Sequence, residues 1–502
     1  MNRREFIKAA ALAPAATAAS STFDADFGTA MAAADAIRKK RISSLELTTH
    51  CFDRIAKYNP QLNAIILQFK DQALDRARKA DAALGREGKL GPLHGVPVTV
   101  KESFHIAGVP TTWGIKPMAE FKPKHNSALV ERLDRAGAII VGKTHVPVML
   151  SDWQSYNPIY GTTNNPWDLK RSPGGSTGGG AAALAAGLGF LTIGSDIGGS
   201  IRVPAHFCGL YGHKPTIDLV SMRGHTPPPV DADIHESHDL PVAGPLTRSA
   251  ADLREALVAI GGQDGDEAVA WKWTLPEPRH ARLKDFRIGC MLDDAFCPVS
   301  SEEAPVFQAV LSALSRAGAR AERGWPEGLD PAASIETYLF MLGADLFSRL
   351  PKAQLDPMRV NWEKNPQDPM LSGAFAPHSK WLEHLGNQSW IRSVWRRYFR
   401  SHDVFLLPVA FVPAFPHDQS EPLESRLIVT PEGRRPYMDM IKWVSFATLA
   451  GIPATVAPVG KTAAALPVGL QILGPMWEDA TPIEFAARLT EAIGGFERPK
   501  GY

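Results

Sequence analysis

The chain has 502 residues, and its 54 Lys+Arg against 53 Asp+Glu leave a formal charge of +1. That balance excludes a basic field able to hold nucleic acid by its phosphates, and equally an acidic, self-repelling disordered chain. With 44% hydrophobic residues the chain can bury a large core, and its 42 glycines are unevenly spread, ten of them lying between Gly174 and Gly199.

The N-terminus reads as an address. Arg3-Arg4 with Phe6 and Lys8 precedes an uncharged, alanine-rich run and an Ala16-Thr17-Ala18 cleavage-like site. This resembles a bacterial twin-arginine export signal over residues 1–22, and implies a periplasmic or secreted protein that folds before export. The remaining 23–502 are then the folded domain. The cysteines, Cys51, Cys208, Cys290 and Cys297, show no CxxC or zinc spacing. A cargo folded in the cytoplasm shields buried thiols, so free cysteines are expected.

Helical periodicity with a charged face runs over about 27–57 and 71–84, separated by a strand-like run at 64–69. Turn chemistry at 91–95 leads into the β-branched run 96–101, which ends in Lys101. A helix is predicted at 128–136, a strand at 138–141, an alanine-rich helix at 181–186 and a strand at 189–193. Residues 218–403, rich in Trp, Pro and charge, read as helices and loops that shape a pocket. Strands return at 404–407 and 466–473. The uncharged stretches 172–195 and 443–460 are too rich in Gly, Pro and small residues to span a bilayer and read as buried helix–turn–strand units. The alternation predicts an α/β fold with a sheet covered by helices on both faces.

Two motif matches mislead. Gly137-Ala138-Ile139-Ile140-Val141-Gly142-Lys143-Thr144 fits the phosphate-loop pattern, but its variable residues are themselves the strand. Gly174-Gly175-Ser176-Thr177-Gly178 fits the α/β-hydrolase nucleophile elbow, yet the residues before it, from Trp167 to Pro173, are no apolar strand.

A broader match joins separated blocks in order. These are Gly95-Val96-Pro97 with Lys101-Glu102, Gly142-Lys143-Thr144, Asn165-Pro166-Trp167-Asp168, Gly174 to Ala183, Gly194 to Arg202, Cys208 to Thr216, and Leu466 to Gln471. Together they resemble the amidase signature family over nearly the whole chain after residue 22. The resemblance implies a Ser–cis-Ser–Lys triad, with Ser200 as nucleophile, Ser176 as bridge and Lys101 as base. It further implies an oxyanion hole from the N–H groups of Ile197, Gly198, Gly199 and Ser200, supported by Thr177, Asp196 and Arg202. A lysine accepts a proton only when neutral, which burial favours. Glycines around Ser176 let backbone approach closely.

The implied activity is hydrolysis of the C–N bond of small amides through an acyl-enzyme on Ser200, with esters and carbamates as further candidates. Two alternatives stay open: an α/β-hydrolase-type esterase with Ser176 as nucleophile, and a glutaminase-like amidotransferase subunit. The export signal argues against the latter, whose tRNA partner is cytosolic. No metal or other cofactor is required. His225, Asp231, Asp233, His235, Glu236 and His238 lack the H-E-x-x-H spacing and read as a loop bordering the site. Trp113, Trp153 and Tyr156, with residues 338–342, are the expected pocket, hinting at a hydrophobic or aryl acyl group. No membrane insertion is expected, and a homodimer is compatible with the family. Two departures bear on substrate: Glu102 where the family more often has Asp, and Pro147-Val148-Met149 where it has a Pro-Glu-Phe-like run.

Overall fold

The computed structural model describes residues 23–85, 90–230, 239–347 and 350–502. The 1–22 leader lies outside these, as do Asp231, Asp233, His235, Glu236 and His238.

An 11-stranded mixed sheet organises the chain. Its strands are β1 (Ile65–Gln68), β2 (Pro97–Lys101), β3 (Ile139–Thr144), β4 (Leu191–Asp196), β5 (Tyr211–Lys214), β6 (Val242–Thr247), β7 (Ile288–Cys290), β8 (Ala321–Arg323), β9 (Val404–Pro408), β10 (Ala454–Lys461) and β11 (Pro467–Leu473). They lie in the order β1-β3-β2-β4-β6-β5-β10-β11-β9-β7-β8. β3, β2 and β4 run parallel, β4 to β6 and β5 to β10 are antiparallel, and β9, β7 and β8 return to parallel.

Both faces of the sheet are covered, and side-chain alternation shows it. On β9, Val404 and Leu406 join one hydrophobic cluster while Phe405 and Leu407 join another. A period of two places neighbouring residues on opposite faces, and here all four are fully buried. Two-sided burial is why these strands read as continuous apolar runs.

Two elements depart from the pattern read in the sequence. The helix expected over 27–57 is two helices, Ala30–Arg38 and Ser44–Leu62. Ser43 starts the second one with a capping box: its hydroxyl accepts the Glu46 N–H at 3.0 Å, and the Glu46 carboxylate accepts the Ser43 N–H at 2.8 Å. The region 218–403 supplies three strands of the sheet, β6, β7 and β8, besides helices and loops. β6 reads Val-Ala-Gly-Pro-Leu-Thr, and Gly244 and Pro245 mask its strand character in the sequence. β7 and β8 have three residues each, too short for periodicity to register.

The stretch 172–195 contains the helix Gly178–Ala185 followed by β4, and 443–460 holds most of the helix Ile441–Ala450 followed by β10. Among the described residues no helix is long and apolar enough to cross a membrane. All four cysteines are buried free thiols.

Candidate active site

The site forms where the C-terminal ends of the parallel strands β2 and β4 meet the loop before the helix Gly178–Ala185. Lys101 is the last residue of β2 and is fully buried. Its Nζ donates to Ser176 Oγ at 2.7 Å and to Ser195 Oγ at 2.9 Å. Burial pulls its pKa down to about 7, against the opposing charge of Asp196. An amine in this state is substantially neutral at physiological pH, and its lone pair is free to take a proton.

Ser176 follows a cis Gly175–Ser176 peptide, 1% exposed. The Gly175 Cα packs against backbone atoms of Asp152, Trp153 and Gln154, and a side chain there would overlap them. No strand leads into this turn. Between Asn165 and Ser176 the only ladder contacts are the isolated bridges Asn165–Asp168 and Arg171–Pro416, so the strand that a nucleophile elbow needs is absent. The phosphate-loop match fails likewise, since Ile139–Thr144 is β3.

The turn from β4 into the helix Arg202–Cys208 carries Ser200 and is held by one buried ion pair. Asp196 accepts Arg202 Nη2 at 2.7 Å and Nε at 3.0 Å. The other Arg202 donors reach the Val444 carbonyl at 2.7 Å, Gln471 Oε1 at 2.6 Å and Thr448 Oγ1 at 2.7 Å. All five guanidinium N–H groups are thereby used, which suits a fully buried charge. Burial would raise the Asp196 pKa, but the Arg202 charge and hydrogen bonds hold it at about 2.

Asp196 also accepts backbone N–H groups of the turn: Gly199 at 2.9 Å, Ile201 at 3.0 Å and Arg202 at 3.3 Å. This corrects one expectation. The Gly199 N–H is committed to Asp196 Oδ1 and is not available to an oxyanion. The N–H groups of Ile197, Gly198 and Ser200 have no acceptor among the described residues.

Two side chains hold this turn from behind. Tyr338 O–H donates to the Ile197 carbonyl and Trp153 Nε1 to the Gly198 carbonyl, each at 2.8 Å. In a trans peptide the C=O and the following N–H point in opposite directions. Tyr338 therefore sets the direction of the Gly198 N–H, and Trp153 that of the Gly199 N–H toward Asp196.

The adjoining cavity has a volume of about 120 Å3. Ser176, Ser195, Ile197 and Ser200 border it on the catalytic side, and Trp113, Met149, Leu150, Met222 and Leu346 give it apolar walls. Trp113, Met149 and Leu150 all have left-handed backbone, with φ of 50°, 52° and 60°. Such conformations in non-glycine residues concentrate at functional sites. His225 also lines the cavity, its Nε2 3.0 Å from Ser103 Oγ and its ring packed on Phe104 and Trp113.

The structure thus brings Trp113 to the cavity but not the other two aromatic residues expected there. Trp153 is turned behind the 197–199 turn by its hydrogen bond to Gly198. Tyr156 is drawn away by Arg426, whose Nη2 donates to its hydroxyl at 2.8 Å. From the helix Pro331–Phe347, Asp345 and Leu346 border the cavity, while Tyr338 lies behind the turn.

Both departures from the family pattern fall at this wall. Met149 lines it, and Glu102 accepts the N–H groups of Thr112 and Trp113, fixing where Trp113 sits. Ser195 has no sequence signal of its own, although it lies in the block that carries Asp196 and Ser200; its contact with Lys101 shows its place in the site. Thr177 Oγ1 makes only a long contact, 3.5 Å, to the Ser195 carbonyl. No hydrogen bond joins Ser176 Oγ to Ser200 Oγ; the two are linked through the Thr177 N–H, which donates to the Ser200 carbonyl at 3.2 Å.

A large mixed sheet flanked by helices, with a buried lysine and serines at one strand end, defines an amidase-type hydrolase. The family model described as Amidase matches residues 46–482, and the chain belongs to the amidase signature family, whose members act on C–N bonds. Among curated relatives, a glutamyl-tRNA(Gln) amidotransferase subunit of Moorella thermoacetica is 30% identical over 483 residues, spanning 91% of this chain and 95% of the relative. The protein of the same name from Marinomonas sp. is 32% identical, spanning 90% and 94%. A solved amidase structure superposes with a TM-score of 0.75 at 26% identity, covering 93% of this chain and all of that one.

Proposed function

We propose that this enzyme hydrolyses small, uncharged amides through an acyl-enzyme on Ser200. The observation that carries the reading is the Lys101 Nζ–Ser176 Oγ contact of 2.7 Å, in a buried site that shares its cavity with Ser200. Ser200 Oγ attacks the amide carbonyl carbon while its proton moves to Ser176, whose own proton passes to neutral Lys101. The Ile197, Gly198 and Ser200 N–H groups receive the developing oxyanion. The C–N bond then breaks, the lysine proton returns through Ser176 to the leaving nitrogen, and water repeats the sequence to free the acid.

A closed Ser176–Ser200 hydrogen bond belongs to the substrate-bound state in this reading, since catalytic hydrogen bonds often tighten only in the complex. The apolar walls, and the lack of any lysine or arginine among the described lining residues, favour an uncharged, largely apolar acyl group. Esters and carbamates present the same carbonyl and are candidate substrates.

Fluorophosphonate labelling with peptide mapping tests the assignment. Label is expected on Ser200 and lost in Ser200→Ala. Label on Ser176 that persists in Ser200→Ala overturns it. A hydrolysis panel of aliphatic amides, anilides, carbamates and esters then ranks the acyl groups.

A glutaminase-like member of an amidotransferase complex is the second reading, favoured by the name shared by the curated relatives. Glutamine carries a carboxylate, and the described residues of the cavity wall include no lysine or arginine to pair with it. Glutamine turnover exceeding that of every neutral amide in the panel decides for it. The twin-arginine-type leader adds a proposed location, the periplasm or exterior; Arg3→Lys with Arg4→Lys is expected to retain the protein in the cytoplasm, and undiminished export overturns that.

A further inference from the structure

Away from the catalytic cavity, a cleft of about 620 Å3 opens beside the helix His378–Ser401. That helix contributes Arg392, Arg396 and Arg400 at four-residue spacing, which aligns them along one face. Arg279 and Arg287 line the cleft too, as do Trp477 and Glu478 from the loop after β11. Five arginines thus line a cleft with one lining carboxylate, in a protein of net charge +1.

The five are not equivalent. Glu478 grips Arg279 through Nε at 2.6 Å and Nη2 at 2.7 Å, and Asp403 grips Arg287 through Nη2 at 2.6 Å and Nε at 3.0 Å. The guanidinium groups of Arg392, Arg396 and Arg400 make no hydrogen bond or ion pair among the described residues, and Arg392 Nε is buried without an acceptor. Asp239 and Asp218 reach Arg392 through their charge. Like charges at four-residue spacing along one helix face repel one another, and an anion bound among them would relieve that.

Trp477 supplies a second kind of contact. Its side chain is 42% exposed, and its backbone is fixed in the left-handed region (φ 69°) with its N–H donated to Thr216 Oγ1 at 3.0 Å. A half-bare indole lining the same cleft as the arginines suits a flat ring joined to a phosphate: the forks match phosphate oxygens in pairs, and the indole stacks the ring.

We propose that this cleft binds a small aromatic phosphate ester, its phosphate on Arg392, Arg396 and Arg400 and its ring against Trp477. Titration of the full enzyme, followed by calorimetry and tryptophan fluorescence, tests this with adenosine monophosphate, adenosine and inorganic phosphate as probes. Adenosine monophosphate is expected to bind saturably, at least about tenfold more tightly than either fragment, and to weaken as salt is raised. Arg396→Gln with Arg400→Gln, both at exposed positions, is expected to weaken it at least about tenfold while amide turnover is unchanged. Trp477→Ala is expected to reduce binding of the nucleotide but not of inorganic phosphate. Absence of saturable nucleotide binding, or equal binding by the parent and the double arginine variant, overturns the proposal. Equal affinity for inorganic phosphate and the nucleotide overturns it as well, since the ring then contributes nothing.

Discussion

Lys101 on β2 and Lys214 on β5 have the same physical history and different surroundings. Both end strands of the central sheet, both are fully buried, and burial draws both pKa values down to about 7. Lys101 faces two serine hydroxyls and lies beside the turn that carries Ser200. Lys214 donates to the carbonyl of Pro215, at 2.9 Å. A depressed pKa therefore marks burial and is not by itself a sign of catalysis; the hydroxyls within reach of the amine separate a base from a structural lysine. The Asp196–Arg202 pair touches both: Asp196 works against the lowering at each lysine, while the Arg202 charge adds to the lowering at Lys214.

The strongest way to break this comparison is to remove what only the first lysine serves. Ser200→Ala is expected to lower kcat/KM for the best amide on the order of 10^5-fold, as loss of a nucleophile does elsewhere, with the melting temperature nearly unchanged. Retention of a tenth of the activity sinks the acyl-enzyme. Lys101→Met comes next, at about 10^3-fold. For the parent, the base must be neutral, so kcat/KM is expected to rise with pH up to about 7 and then level off. The residual activity of Lys101→Met is expected to lack that rise. A pH limb that survives the substitution assigns the titration to another group.

How much of this was readable beforehand follows from what each residue depends on. Lys101, Ser176 and Ser200 were legible because each lies in a short block whose glycines and strand pattern are local. The Asp196–Arg202 pair was legible for the same reason, being six residues apart. The commitment of the Gly199 N–H was not, since it depends on how the 198–199 peptide is held, by Trp153 at its carbonyl and by the Asp196 carboxylate at its N–H. Nor were the places of Trp153, Tyr156 and Tyr338. Each is an aromatic residue near the site in sequence or in family position, but its direction is set by a partner far along the chain, Gly198, Arg426 and Ile197 respectively. The strand β6 is hidden in the sequence because its Gly244 and Pro245 carry the signature of a turn, while the pairing that makes it a strand comes from β4 and β5.

Tyr338 gives the intermediate test. Tyr338→Phe keeps the ring and deletes the hydroxyl that holds the Ile197 carbonyl. If that hydrogen bond aims the Gly198 N–H at the oxyanion, kcat is expected to fall about tenfold with KM nearly constant, less than the loss of a whole donor would cause. A matching fall in melting temperature with kcat intact shows instead that the hydroxyl only satisfies a buried carbonyl.

The smallest effect on turnover is expected from the same substitution at the second lysine, and it is the sharpest control. Lys214→Met replaces a buried amine by an apolar chain of similar length. Turnover and its pH limb near 7 are expected to match the parent, because the Lys214 amine donates to the Pro215 carbonyl and reaches Asp196 through charge alone. Stability is expected to change with a definite sign. In the parent, Lys214 has a pKa of about 7 when folded and an ordinary, higher one when unfolded, so between those values the unfolded chain holds more protons and stability climbs with pH. Below about 7 the amine is charged in both states and its burial is most costly. The variant is therefore expected to exceed the parent most at pH 6 and below and to lose that lead as pH rises through the window, as read by urea midpoints at several pH values. A lead that grows with pH reverses the sign and means that Lys214 is held as an ammonium ion by the nearby carboxylates Asp196 and Asp479; the resemblance between the two lysines would then end at burial.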